Sequence, residues 1–67
     1  MALDRTSMRW KLFVFKDNRW ELIFRGYSEE FTKSHISHVR WADWTWDVCI
    51  GVGISGILYK IIEEPIG

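Results

Sequence analysis

Residues 44–54 read Trp-Thr-Trp-Asp-Val-Cys-Ile-Gly-Val-Gly-Ile. Trp44, Trp46, Val48, Ile50, Val52 and Ile54 are large and apolar at every second position. Thr45, Asp47, Cys49, Gly51 and Gly53 between them are small or polar. Successive side chains of a strand point to opposite faces, so this alternation predicts a strand and not a helix. It also predicts that Val48, Ile50 and Val52 face the core while Gly51 and Gly53 face away. One unbroken strand of that length exceeds the usual five or so residues. The two glycines are therefore expected to mark a bend or bulge. Gly51, Gly53, Ser55 and Gly56 strip one face of side chains, which lets a helix or another backbone approach closely. They do not form a phosphate loop, because the Lys-Ser/Thr ending is missing and no helix follows.

A competing reading takes residues 41–62 as a membrane-spanning helix behind a β-hairpin. Trp41, Trp44 and Trp46 would form an aromatic belt, and Gly51 with Ser55 a small-xxx-small packing pair. The uncharged apolar stretch, however, runs only from Val48 to Tyr59, whereas a span needs about 20 residues. A window of that length takes in Asp47, Lys60 or both. A lipid-facing helix also leaves the period of two unexplained.

Upstream, residues 9–15 (Arg-Trp-Lys-Leu-Phe-Val-Phe) and 19–25 (Arg-Trp-Glu-Leu-Ile-Phe-Arg) alternate in the same way around Asp17-Asn18. Asp and Asn tolerate the left-handed backbone of a tight hairpin turn. A two-residue turn there sets Phe15 opposite Trp20 and Phe13 opposite Leu22. Those pairs make a continuous apolar face. Trp20, Leu22 and Phe24 are expected to share it, with Trp10, Leu12 and Val14 on the other side. Trp10 and Trp20 are both expected to fill the core.

Residues 28–40 are predicted as a helix. Ser28 is a candidate N-cap, and Glu29 and Glu30 suit the positive end of the helix dipole. Thr32, Ser34, Ser37, His35 and His38 are poor to middling helix formers, so a strand over 35–41 is the alternative. Ser55-Gly56 is a weak turn, residues 57–62 read as a last strand, and Pro65 ends it.

A chain of 67 residues has room for one domain, with marginal surface burial. Residues 1–7 read as a mobile leader and 8–67 as a single small domain. The expected fold is α+β: a small antiparallel sheet with one helix, in the order β-β-α-β-β. The alternatives are an all-β small barrel and the hairpin with a membrane helix at 41–62.

Formal net charge is zero. That argues against both an acidic nucleic-acid mimic and a strongly basic nucleic-acid binder. Residues 9–40 carry seven basic and four acidic side chains, and residues 41–67 carry one basic and four acidic. The expected use of this polarity is attraction between the two halves of one fold. Cys49 is the only cysteine, which fits a reducing, cytoplasmic compartment. The first residues, Met-Ala-Leu-Asp-Arg, lack the apolar run of a secretory signal.

Little in the chain points to catalysis. Cys49 is expected to be a small buried core thiol, with no oxyanion turn and no orienting group around it. His35 and His38 are at most half a metal site. Asp43 with Asp47, and Glu63 with Glu64, are carboxylate pairs by spacing only. No enzyme activity, metal or cofactor is expected.

Five Trp exceed what one small core needs, so some should be exposed. Arg40-Trp41, Trp44 and Arg25-Gly26-Tyr27 interleave aromatic and basic groups, the residue types that dominate binding hot spots. Trp41, Trp44, Arg40, Arg25 and Tyr27 are therefore the candidate partner-binding residues. The expected function is a non-enzymatic protein-binding module, an inhibitor or regulator of a larger protein machine, using those anchors and a sheet edge. Its partner would be another protein or protein complex, with homo-oligomerisation through a sheet edge as a further arrangement. A single-span accessory subunit of a membrane complex is the alternative. A weak single-stranded nucleic-acid binder is the second alternative.

Overall fold

A computed structural model describes residues 9–64. The leader assigned to residues 1–7, and Pro65, lie outside the described residues. The elements are β1 (Trp10–Lys16), β2 (Arg19–Gly26), α1 (Glu29–Lys33), β3 (Val39–Trp41), β4 (Val48–Gly53) and β5 (Leu58–Glu63). They form one antiparallel sheet of five strands in the order β2-β1-β5-β4-β3. The fold is therefore largely β with one short helix. The expected order lacked β3. No pairing joins β2 to β3, so the described strands form an open sheet, not a barrel. Among the described residues no helix is long and apolar enough to cross a membrane.

The hairpin forms where the turn chemistry puts it. Asp17 and Asn18 have φ of 54° and 64°, as a two-residue primed turn requires. Phe15 pairs with Trp20 and Phe13 with Leu22. The register then shifts, and Leu12 pairs with Phe24, so Ile23 is the extra residue of a bulge. That shift corrects the expected facing of β2. Trp20 and Leu22 stay on one side, while Phe24 turns to the side of Leu12.

The expected helix over 28–40 is much shorter. Ser28 caps it, its Oγ accepting from Phe31 N–H at 3.1 Å. The helix ends at Lys33, where the Ser34 hydroxyl donates to the Phe31 carbonyl at 2.7 Å. Such a bond offers the backbone an alternative to further helix. His38 then adopts a left-handed φ of 61°, and the chain turns into β3. The strand alternative was thus correct for 39–41.

The strand predicted at 44–54 is divided. Thr45 and Val48 exchange backbone hydrogen bonds of 2.9 and 3.0 Å, closing a tight turn with Trp46 at φ 59°. β4 begins after it. A second turn follows: Gly56 has φ 84° and donates to the Gly53 carbonyl at 3.0 Å.

The covered side of the sheet holds the core. Leu12, Cys49 and Ile61 lie side by side across β1, β5 and β4 and are fully buried. Trp10, Phe24, Ile36, Trp41, Trp44 and Tyr59 pack around them. Thr32 of α1 is buried against Gly26, and its hydroxyl donates to the Ser28 carbonyl at 2.7 Å.

This reverses the expected facing of β4. Cys49 and Gly51 are buried, whereas Ile50 and Val52 are 39% and 42% exposed. The small residues face the core because large neighbours already fill the space above them. A Cβ on Gly51 would meet the Trp41 ring, and one on Gly53 would come within 3.0 Å of the Tyr59 ring. The close approach is made on the core side by the side chains of Trp41, Val39 and Tyr59, and not by the helix or second backbone that was expected.

The two halves of the charge pattern meet at the seam between β1 and β5. Arg9 pairs with Glu63, and Lys11 with Glu64, each at 2.7 Å.

Candidate functional site

The opposite face of the sheet has no described element over it. Side chains alternate along each strand, so the register identifies its members. Leu22, Phe13, Lys60 and Ile50 form one row across β2, β1, β5 and β4. Phe15 with Trp20 on the β1–β2 hairpin, and Leu58 with Val52 on β5–β4, lie beside that row. Ile62 and Val48, paired with each other, lie on its other side. Phe15, Leu22, Ile50, Val52 and Leu58 are exposed, while Phe13, Trp20, Val48 and Ile62 are half-buried by their neighbours. Phe15 and Trp20 meet edge to face at 5.1 Å between ring centres.

The centre of this apolar surface carries one cation. The Lys60 ammonium lies 4.5 Å from the Trp20 ring centre and 5.2 Å from that of Phe13. Both rings present their negative faces to it, which holds the charge over the apolar surface. Arg40, paired with Val52, and Arg25, paired with Lys11, add exposed cations at opposite edges. Among the described residues one carboxylate lies on this side, that of Glu64 at the margin beyond Ile62, where it accepts from Lys11. That bond holds the Glu64 carboxyl below its usual range.

The five residues expected to bind a partner are not brought together. Trp41 is half-buried on the core side, its ring over Gly51. Trp44 is also half-buried there, edge-on to Trp10 at 5.6 Å, with its indole N–H donating to Glu29 Oε2 at 2.8 Å. Arg25 and Arg40 lie on the bare side, on different edge strands. Tyr27 is 54% exposed beyond β2 and stacks on Phe31 at 4.4 Å. Trp20, expected in the core with Trp10, belongs instead to the bare face. The exposed tryptophan is Trp46, 95% exposed at the tip of the 45–48 turn.

The bare face was missed as a site although its signal is in the sequence. Both sides of β1 are apolar, Trp10, Leu12 and Val14 on one and Phe13 and Phe15 on the other. Among the described residues, the helix α1 and the turn after it pack on the Leu12 side, through Phe31 and His35 against Phe24, and leave the Phe13 side without a covering element.

Cys49 is fully buried, its thiol donating to the Ala42 carbonyl at 3.2 Å, and burial pushes its pKa up. His35 stacks on Phe24 at 4.0 Å between ring centres. No group of three or more metal-ligating side chains gathers among the described residues. Comparison of the chain with models of known families, with curated proteins and with solved structures returns no match.

Proposed function

We propose that this chain is a non-enzymatic protein-binding module that docks through the bare face of its sheet. One observation carries the reading: nine large apolar side chains from β1, β2, β4 and β5 share a surface that no described residue covers. A sheet is stable when each apolar face is packed against another layer. Large contiguous apolar patches on a protein surface mark interaction sites. The mixture of Phe13, Phe15 and Trp20 with Arg25 and Arg40 at the edges is that of a binding hot spot with a polar rim. In this reading the module acts as a regulator or inhibitor of a larger protein machine, by occupying a surface and not by chemistry.

Site-specific photocrosslinking in the native cells tests this. A benzophenone side chain at Val52, on the bare face, should give discrete protein adducts, and the same group at Glu30, on the helix, should not. Adducts at Glu30 alone, or at neither position, would overturn the reading.

A further inference from the structure

We propose that the bare face receives an acidic amphipathic helix of a partner protein, with a partner carboxylate set against the Lys60 ammonium. The inference rests on the binding-module reading and adds the chemistry of the partner. Any apolar layer laid on this face covers Lys60, which stands in the middle row between Phe13 and Ile50. Covering an ammonium without a counter-charge is strongly unfavourable, so the partner must bring an anion to that point. Arg25 and Arg40 at the two edges extend the same preference across the sheet.

That requirement disfavours a second copy of the chain. Its own bare face brings Lys60, Arg25 and Arg40, and the one carboxylate there among the described residues, Glu64, already holds Lys11. Two such faces would bury like charges against each other. It also disfavours an added strand, which pairs through the backbone at a sheet edge and leaves the face uncovered. A helix satisfies its own backbone hydrogen bonds and offers only side chains, which is what a sheet face can accept. Five strands about 4.8 Å apart make a face roughly 19 Å wide. At 1.5 Å per residue, a helix of about 13 residues crosses it.

Phage-displayed random peptides, each about 16 residues long so that a helix can cross the sheet, are panned against the full chain. Lys60→Glu and Val52→Asp chains serve as parallel baits once circular dichroism shows them folded. Lys60→Gln and Val52→Thr replace either one that is not. The expected peptides carry apolar residues at helical spacing with Asp or Glu within that stripe. Their synthetic forms should lose binding to Val52→Asp and weaken about tenfold or more on Lys60→Glu. Face-dependent peptides that lack an acid, or that ignore Lys60→Glu, overturn the acidic-helix assignment and leave the binding-module reading standing. If no face-dependent peptide emerges, both fall. Both also fall if Val52→Asp abolishes binding to phosphatidylserine vesicles or to oligo-dT instead. A dimer in sedimentation that Val52→Asp dissociates assigns the face to a second copy and overturns the inference.

Discussion

The indole of Trp41 lies across Gly51, its partner on the neighbouring strand, so that a Cβ on Gly51 would stand 2.6 Å from the ring. The same Cβ would stand 2.6 Å from Val39 Cγ1. The glycine is therefore the floor of the core under β3, and the large residues beside it, Ile50 and Val52, point away from that core.

Gly51→Ala should consequently destabilise more than Ile50→Ala. The added methyl overpacks a ring and a branched side chain at once, at a cost of about 1–3 kcal/mol. Truncating the half-exposed Ile50 should stay within about 1 kcal/mol. Thermal unfolding of the two variants checks the ranking. A lower midpoint for Ile50→Ala would mean that the β4 facing is wrong.

The hairpin turn gives a second test. Asn18 has φ 64°, which proline cannot adopt and glycine adopts freely. Asn18→Pro should lose well over about 1 kcal/mol, whereas Asn18→Gly should hold or raise stability by a few tenths. Denaturant midpoints measure both.

Glu29 ties the helix to the core. Hydrogen bonds from Lys33, and then from the Trp44 indole, hold its carboxyl below the ordinary value of 4.5. A depressed folded pKa stabilises above the ordinary value, and that contribution is lost as pH falls through the folded one. Acidification below about pH 4.5 should therefore release Trp44 and change its fluorescence before the sheet unfolds. Glu29→Gln should abolish that early phase, and an unchanged acid titration would count against the link.

Cys49 tests the opposite sign. Burial raises its pKa above the ordinary 9.0, so the folded state keeps a proton that the unfolded state releases. The contribution is complete below pH 9.0 and shrinks as pH rises toward the folded value. A thiol reagent should react slowly in native buffer and rapidly in denaturant. Fast native labelling would show that the core opens at β4.

Trp46 combines a left-handed φ of 59° with 95% exposure. A bulky side chain gains nothing from that backbone and packs on nothing there. Trp46→Asn should leave the melting midpoint unchanged or raise stability by up to about 1 kcal/mol. A clear drop would reveal a packing role for the indole.

Much of the sheet was legible because its punctuation is local. Asp17-Asn18 announces the first turn, Ser28 the start of the helix, and Gly56 the last turn. The sequence could not tell which side of residues 48–53 is buried. An alternation of large and small residues reads the same whether the large ones fill a core or the small ones admit someone else's rings. The deciding residues, Trp41 and Val39, come from a strand of three residues. That strand is too short to show a period of its own, and His38 sets its entry with an unforeseeable positive φ. The candidate site was read from aromatic–basic neighbours along the chain. Trp41 and Trp44 lie half-buried on the core side, while the surface that no described residue covers is assembled across four strands.

The bulge at Ile23 has a bearing on how this chain behaves at high concentration. β2 is an outer strand of eight residues, rich in Trp, Leu, Ile and Phe, and such a strand is a ready template for fibril growth. One surplus residue in its middle breaks the regular spacing of its outward amide and carbonyl groups. An incoming strand can then match one half of β2 and not the other. The rim of the sheet along β2 is thus interrupted at Ile23, which leaves an arriving extended segment two short templates in place of one long one.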